Sequence, residues 1–139
     1  MKFLNGMLIC LIRWVIRRSL MSVYEKVFDK FKQNNIDVYP PNAHKGEVKS
    51  EYVVLSDGGR TRASSFTSQT VILDALIYVP GSRFTDLDQF ADKVKRYADE
   101  LYPLIIPTGY ETPAFYDETI KGWMKSVEYR YTVRNKHVR

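Results

Sequence analysis

Few residues of this 139-residue chain belong to the types that do chemistry. It holds one cysteine, Cys10, and two histidines, His44 and His137, whereas a structural zinc site takes about four thiolate or imidazole ligands. A single cysteine also excludes a disulfide within the chain. His44 stands in a polar stretch beside Lys45, which predicts a solvated side chain. We therefore expect no metal site and no cofactor.

The sequence also lacks the common catalytic motifs. The sequence contains no G-x-S-x-G, H-E-x-x-H, G-x-x-x-x-G-K-[ST] or G-x-G-x-x-G pattern. Asp86, Asp88 and Asp92 lie in the first turns of a predicted helix, where the helix dipole favours carboxylates. The run Asp57-Gly58-Gly59-Arg60 could cradle a phosphate, but two glycines between extended segments are more typical of a hairpin turn. We expect that the protein is not an enzyme.

Charge favours anionic surroundings, because 21 Lys and Arg outnumber 16 Asp and Glu and give a net charge of +5. Six cations could form a basic patch or could simply be a solvated surface: Lys45, Lys49, Arg60, Arg62, Arg130 and Arg134. No motif for sequence-specific readout of nucleic acid accompanies them. Non-specific contact with a phosphate backbone is the form of nucleic-acid binding that remains.

Aromatic residues are numerous, with 10 Tyr, 7 Phe and 2 Trp, and this class of residue is enriched at protein interfaces. Five of them exceed what two helices can cover: Phe66, Tyr110, Phe115, Tyr116 and Trp123. The sequence therefore favours a subunit of an assembly.

Residues 1–20 differ from the rest of the chain because they are apolar and basic and hold no acidic residue. Arg13 interrupts the run, which makes a spanning helix or an export signal a poor fit. Two interpretations stay open: a helix that docks on the domain, a partner or a membrane surface, or an extension upstream of the true start at Met21. The second has local support in Ser22 and Glu25, which form a capping box just after that methionine. We expect residues 21–139 to form one domain.

The elements that must position these residues follow from hydrophobic periodicity. Apolar residues at four-residue steps predict a helix over residues 22–33 and a second one from Thr85 to about Leu101, also with a capping-type start. Residues 51–56 predict a strand, with a hairpin turn at Asp57-Gly58-Gly59 and a flexible return arm over residues 60–68.

Two further strands complete the expected sheet. Residues 70–79 are apolar on both faces and predict a central strand, whereas residues 123–133 alternate, with Trp123, Lys125, Val127, Tyr129 and Tyr131 on one face. The order of elements predicts an α+β fold, with an antiparallel or mixed sheet, both helices packed on one face and the opposite face free.

Two stretches carry a resemblance to a known family. They are Ile77-Tyr78-Val79-Pro80-Gly81 before the helix at Thr85, and Leu101-Tyr102-Pro103 through Thr108-Gly109 to Lys121-Gly122-Trp123-Met124-Lys125-Ser126-Val127-Glu128-Tyr129. With the size and the order of elements, they resemble the tail-terminator and tail-completion (head–tail joining) proteins of tailed bacteriophages. The resemblance covers residues 22–134.

The resemblance implies a structural virion protein at the junction of tail and neck, assembled in the host cytoplasm. It implies a ring-forming subunit, commonly one of six copies, that caps the tail tube, stops its polymerisation and offers a surface for head–tail joining. The implied partners are further copies of the chain, the tail tube protein, the head–tail connector proteins and, without sequence specificity, the passing double-stranded DNA.

The ring also implies roles for particular residues. Seven aromatic residues would contact neighbouring subunits: Phe66, Tyr110, Phe115, Tyr116, Trp123, Tyr129 and Tyr131. Three cations would face the DNA lumen or the tube: Lys45, Arg60 and Arg62. Two other functions stay open: a minor capsid or head-completion protein on the portal side of the neck, and a small basic protein that binds a membrane surface or nucleic acid.

Overall fold

The structure, a computed structural model, describes residues 22–62 and 67–134. Two helices and six strands follow each other as α1 (Val23–Gln33), β1 (Val38–Tyr39), β2 (Tyr52–Arg62), β3 (Ser68–Pro80), α2 (Asp86–Asp99), β4 (Ile106–Glu111), β5 (Phe115–Asp117) and β6 (Gly122–Arg134). The strands form one sheet in the order β1-β2-β3-β6-β4, and β5 also pairs with β6. The β1–β2 pair is parallel and the other pairs are antiparallel. The prediction of an α+β fold with a mixed sheet is confirmed.

Helix α1 begins and ends where the sequence predicts. The Glu25 backbone N–H donates to the Ser22 side-chain oxygen at 3.2 Å, so that Ser22 caps the helix. At the other end, the Asn34 side-chain amide donates to the Lys30 carbonyl at 2.7 Å, and Asn35 takes a left-handed conformation with φ 59°. Phe31, which is buried, lies on the face that packs on the sheet.

Helix α2 departs from its prediction at both ends. Thr85 is itself helical, with φ −64° and ψ −23°, and its side chain makes no capping hydrogen bond. A cap residue normally has extended backbone, so the predicted capping box is wrong here. Instead of a side-chain cap, a hydrogen-bonded turn leads into the helix, and in it the Leu87 N–H donates to the Phe84 carbonyl at 3.1 Å. The helix ends at Asp99, earlier than the predicted Leu101.

The central strand β3 separates two different faces of the sheet. Alternate residues on one face are fully buried: Val71, Leu73, Ala75, Ile77 and Val79. The register places Trp123, Lys125, Val127, Tyr129 and Tyr131 beside them on β6, as the alternation of residues 123–133 predicts. Both helices contribute to the core on this face, which we call the covered face. In the described part of the chain, the opposite face carries no helix, and we call it the open face.

Strand β2 corrects the predicted hairpin turn. The strand continues past Asp57 and Gly59 to Arg62, with a bulge between Asp57 and Gly59, and its last residues pair with β3. The Gly59 N–H donates to the Asp57 carboxylate at 3.0 Å, and Gly59 has φ +107°. A bulge and a hairpin turn both use glycine at positive φ, which is why the sequence pattern indicated the wrong one. The prediction of a flexible return arm over residues 60–68 is therefore wrong for residues 60–62, which belong to β2.

The segment of residues 40–50 closes one end of the open face. It leads from the edge strand β1 across to the far side of the sheet, where the Val48 N–H donates to the Ile120 carbonyl at 2.8 Å. The buried Val48 side chain lies against Gly122, where an added Cβ would come within 2.6 Å of a Val48 methyl. Glycine at position 122 is therefore what admits this segment.

Candidate interaction surfaces

Strands β4 and β5 carry a row of exposed aromatic side chains beside β6. Tyr110 is 59% exposed, Phe115 58% and Tyr116 39%. Trp123 of β6 contacts one of them, because its ring centroid lies 5.2 Å from that of Tyr116, and its ring centroid also lies 4.4 Å from that of Phe84. We call Tyr110, Phe115, Tyr116 and Trp123 the aromatic edge. Four of the seven predicted subunit-contact residues therefore lie along one side of the sheet.

The aromatic edge is held in place by its polar and glycine neighbours. The Trp123 indole N–H donates to the Gly81 carbonyl at 3.3 Å. A Cβ at Gly81 would lie 3.0 Å from the Tyr116 ring, so glycine permits that close approach. Ordered aromatic rings that stay exposed are typical of protein interfaces, because a partner can bury their area at a low cost in conformational entropy.

Three of the seven predicted contact residues do not belong to this surface. Tyr129 and Tyr131 are 2% and 8% exposed, and both lie on the covered face. Their prediction as contacts between subunits is wrong because α1, α2 and the sheet already bury them, and burial also raises the pKa of the Tyr129 phenol. Phe66 lies outside the described residues.

The cations predicted to face DNA do not form one group. Lys45 is exposed in the segment before β2, whereas Arg60 is exposed near the other end of that strand. Tyr52 and Arg62 bound the 11-residue strand β2, and the ten steps between them, at about 3.3 Å each, separate its ends by about 33 Å. Lys45 and Arg60 therefore lie near opposite ends of β2 and do not form one cluster. The side chain of Arg62 lies outside the described residues.

Arginines do gather at the distal end of the three long strands. Arg60, Arg130 and Arg134 are all exposed there, and we call them the arginine end. Arg60 is in register with Val71 on the covered face, whereas Arg130 is in register with Ile72 on the open face. No ion pair among the described residues includes any of the three. This end is free to contact anionic groups.

The run Asp57-Gly58-Gly59-Arg60, for which the sequence favoured a hairpin turn over a phosphate cradle, does not present its Gly59 amide to a ligand. Its Gly59 amide, which would have to bind the phosphate, already donates to the Asp57 carboxylate. That carboxylate would also repel an anion. The run serves the bulge of β2.

His44 does not have the solvated environment that the sequence predicts. It is half-buried and stacks on Tyr52, with ring centroids 4.1 Å apart and an interplanar angle of 23°. Tyr52 in turn stacks on Tyr78 at 4.9 Å, and Tyr39 meets Tyr52 edge-on. Burial, with the neighbouring phenols, raises the pKa of Tyr52 to about 12. This stack joins the segment of residues 40–50 to the open face, and its members are too far apart in sequence to be recognised there.

A network of charges fastens α2 to the strands on the aromatic-edge side. Glu111 of β4 pairs with Lys95 of α2 and with Lys125 of β6, the latter at 3.5 Å. Lys125 also lies 3.8 Å from Asp88. Hydrogen bonding from Lys95 and the two lysine charges hold the pKa of the Glu111 carboxyl below its usual value. Asp88 thus acts in an ion pair, and the network fixes β4 next to β6.

The sheet's edges are poor templates for another strand. Edge strand β1 has two residues and is followed by Pro40 and Pro41, which have no N–H to donate. Farther along β2, the Tyr24 hydroxyl donates to the Leu55 carbonyl at 2.7 Å, and the bulge then twists the edge. On the other side, β4 contains Pro107. Side chains, rather than new strand pairs, are the means of contact that these edges offer.

The described residues place limits on two other kinds of site. In residues 22–62 and 67–134, no cluster of three or more His, Cys, Asp or Glu is arranged to hold a metal ion. None of the helices in that same part of the chain is long and apolar enough to cross a membrane. Comparison with protein-family models and with curated proteins finds no match to this chain.

Proposed function

We propose that this protein is a structural subunit of a ring at the end of a bacteriophage tail tube, a tail terminator that stops tube growth and offers a surface for head–tail joining. The observation that carries the proposal is the aromatic edge, where Tyr110, Phe115 and Tyr116 stay exposed on ordered strands. The sequence resemblance given above supplies the kind of assembly.

The distribution of chemistry over the domain supports a ring of copies related by rotation. A closed ring requires two different surfaces on each subunit, because each copy contacts its neighbours head to tail. The aromatic edge and the opposite edge at β1 and β2 differ in this way. Since proline and Tyr24 blunt both edges as strand templates, the neighbours would meet through side chains.

The arginine end supports a position near DNA within that ring. Exposed guanidinium groups of β2 and β6, at the same end of the sheet, would face the lumen, where passing DNA presents phosphates. Contact of this kind is electrostatic and independent of sequence, so it would not hold the DNA in one register. Arg60 and Arg130, on opposite faces, would contribute from both sides of the sheet.

The native mass of the full chain, together with negative-stain imaging, tests the ring. We expect closed rings for the unchanged protein and smaller species for Tyr110→Ser and Phe115→Ser. Tyr102→Ser is the matched control, because Tyr102 is 67% exposed, more than either edge residue, but precedes β4 and lies outside the aromatic edge. A strict monomer, or equal effects of Tyr102→Ser and Tyr110→Ser, would refute the proposed contact.

Tube growth tests the terminator role separately. Purified protein added to polymerising tail tube protein should cap the tubes and limit their length, and the cap should be visible at one tube end. Binding to portal or connector proteins without an effect on tubes would instead support a head-completion protein.

A further inference from the structure

We propose that residues 1–21 of this chain bind across its own open face. This inference is independent of the proposed function, because it concerns the fold of one copy. It starts from the open face itself, where four apolar side chains are only half-buried: Val54, Ile72, Leu76 and Met124. They lie on the central strands β2, β3 and β6, which pair antiparallel. An antiparallel sheet can leave one face to water, but that face is then usually polar, so apolar side chains at these positions indicate a cover.

Two carboxylates in the middle of the open face have no cation partner within residues 22–62 and 67–134. Asp74 and Glu128 are direct partners across β3 and β6. Neither takes part in an ion pair among the described residues. Burial and the charge of Glu128 raise the pKa of Asp74. Like charges placed opposite each other on neighbouring strands are destabilising, so an occupant of this face should bring positive charge.

Residues 1–21 have the composition that such an occupant requires. They include four basic residues, Lys2, Arg13, Arg17 and Arg18, and no acidic one. Most of the others are large and apolar, which suits the half-buried side chains of the open face. Guanidinium groups pair well with carboxylates at partly buried sites, because they are less strongly hydrated than ammonium groups.

The position of Ser22 allows this segment to reach the open face. Helix α1 begins beside β2, where the Tyr24 hydroxyl donates to the Leu55 carbonyl. Strand β1 pairs only with Val53 and Val54, so the chain can pass round the edge of β2 beyond it. Five strands at a spacing of about 4.8 Å span about 19 Å. A segment of 21 residues measures about 30 Å even when it is helical, so it is long enough.

Two other occupants are outcomes of the test. A second copy could bring its own residues 1–21 to the face, and these residues could instead enter a membrane surface. The same-chain arrangement is favoured because the segment is already attached beside the face, which gives it a high effective concentration there.

A paramagnetic label on the single cysteine, Cys10, tests the contact in the full chain. The label broadens nearby methyl signals steeply with distance, so those of Ile72 and Leu76 on the open face should be lost. The methyl signals of Leu87 and Val94 in α2, behind the covered face, serve as the control and should persist. Equal broadening of both groups, or none of either, would overturn the proposal.

Mixing separates one chain from two. Labelled protein without isotopes is mixed with isotope-labelled protein that carries Cys10→Ser, so that broadening reports only contacts between copies. We expect no broadening of Ile72 or Leu76 in this mixture. Broadening there would overturn the same-chain contact in favour of a second copy.

A double variant that removes the negative charge of the open face is the second, independent test. Asp74→Asn with Glu128→Gln should weaken the broadening of Leu76, because the occupant loses its ionic partners. The matched control, Asp92→Asn with Glu118→Gln, removes the same charge at two exposed positions elsewhere and should leave the broadening unchanged. Equal effects of the two pairs would overturn the proposed role of the carboxylates.

Anionic phosphatidylglycerol vesicles test the membrane as the other occupant. If the labelled protein sediments with the vesicles, and the Leu76 signal is lost without vesicles but persists with them, residues 1–21 bind the membrane instead. That result would overturn the proposal.

Discussion

Replacing Gly122 by alanine should destabilise the protein through steric contacts with Val48 and with the Val79 carbonyl oxygen. The added Cβ would lie 2.6 Å from one Val48 methyl, 2.9 Å from the Val48 Cβ and 3.1 Å from the Val79 carbonyl oxygen. Non-bonded carbon atoms prefer about 3.5–4.0 Å, so either Val48 or β6 must move. Overpacking of this kind typically costs about 1–3 kcal/mol. Gly122 is not in the left-handed region, so backbone strain adds nothing to the cost.

The partner substitution Val48→Ala removes the closest of these contacts, the one with the Val48 methyl, and leaves those with the Val48 Cβ and the Val79 carbonyl oxygen. Alone, it removes two buried methyl groups and should cost about 1.6 kcal/mol at about 0.8 kcal/mol each. In the double variant, however, the alanine at position 122 fills part of the space that Val48 leaves. The two substitutions should therefore cost at least about 1 kcal/mol less together than the sum of their separate effects.

Urea unfolding of the four proteins measures this coupling from the midpoint and the slope. If the slope of the unfolding free energy against urea concentration is the same in all four proteins, the denatured state is not responsible for the coupling. Additive effects of Gly122→Ala and Val48→Ala, or a Gly122→Ala variant as stable as the unchanged protein, would refute the packing of the segment of residues 40–50 against β6.

Three further predictions concern ionisable groups and one hydrogen bond. Asp74→Asn should raise the free energy of unfolding at pH 7 by about 0.2–1 kcal/mol and have no effect near pH 3. The raised pKa of Asp74 means that folding favours its protonated form, and this stabilisation is lost as the pH rises through that pKa. A loss of stability at pH 7 would contradict the repulsion between Asp74 and Glu128. Tyr24→Phe should cost about 0.5–1.5 kcal/mol in urea unfolding because the Leu55 carbonyl loses its donor, and an unchanged midpoint would mean that water replaces it fully. In an alkaline titration followed by absorbance, Tyr52→Phe should remove a tyrosinate signal near pH 12. The pKa of Tyr52 in the folded protein lies above the ordinary 10.0, so the stability that Tyr52 contributes is complete below pH 10 and is lost as the pH rises to about 12. A tyrosinate signal that the substitution leaves unchanged would place Tyr52 in water.

Local patterns in the sequence were sufficient for most of the elements. The four-residue spacing of apolar residues predicted α1, and Ser22 predicted its first residue, because capping and amphipathicity are properties of neighbouring residues. Strict alternation predicted which side chains of β6 lie on the covered face, since a strand has a period of two. The sequence could also exclude a disulfide, which depends only on the count of cysteines.

The surfaces were harder to predict because burial depends on what packs against each face. Tyr110 and Tyr129 are the same residue type on neighbouring strands, yet one is exposed and the other is fully covered by helices. His44 is a polar residue with polar neighbours in sequence, but its ring contacts Tyr39 of β1 and stacks on Tyr52 of β2, which in turn stacks on Tyr78 of β3. No local pattern indicates such a contact, since its partners meet only after the sheet has formed.

The sequence by itself determined the α+β class, the bounds of α1 and the faces of β3 and β6. It did so because these features depend on residues that are close together in the chain. Only the tertiary structure decided that Gly58 and Gly59 form a bulge, that Lys45 and Arg60 lie at opposite ends of β2, and that Asp74 faces Glu128. These outcomes depend on register between strands that are far apart in sequence, and register is set by the packing of the whole sheet.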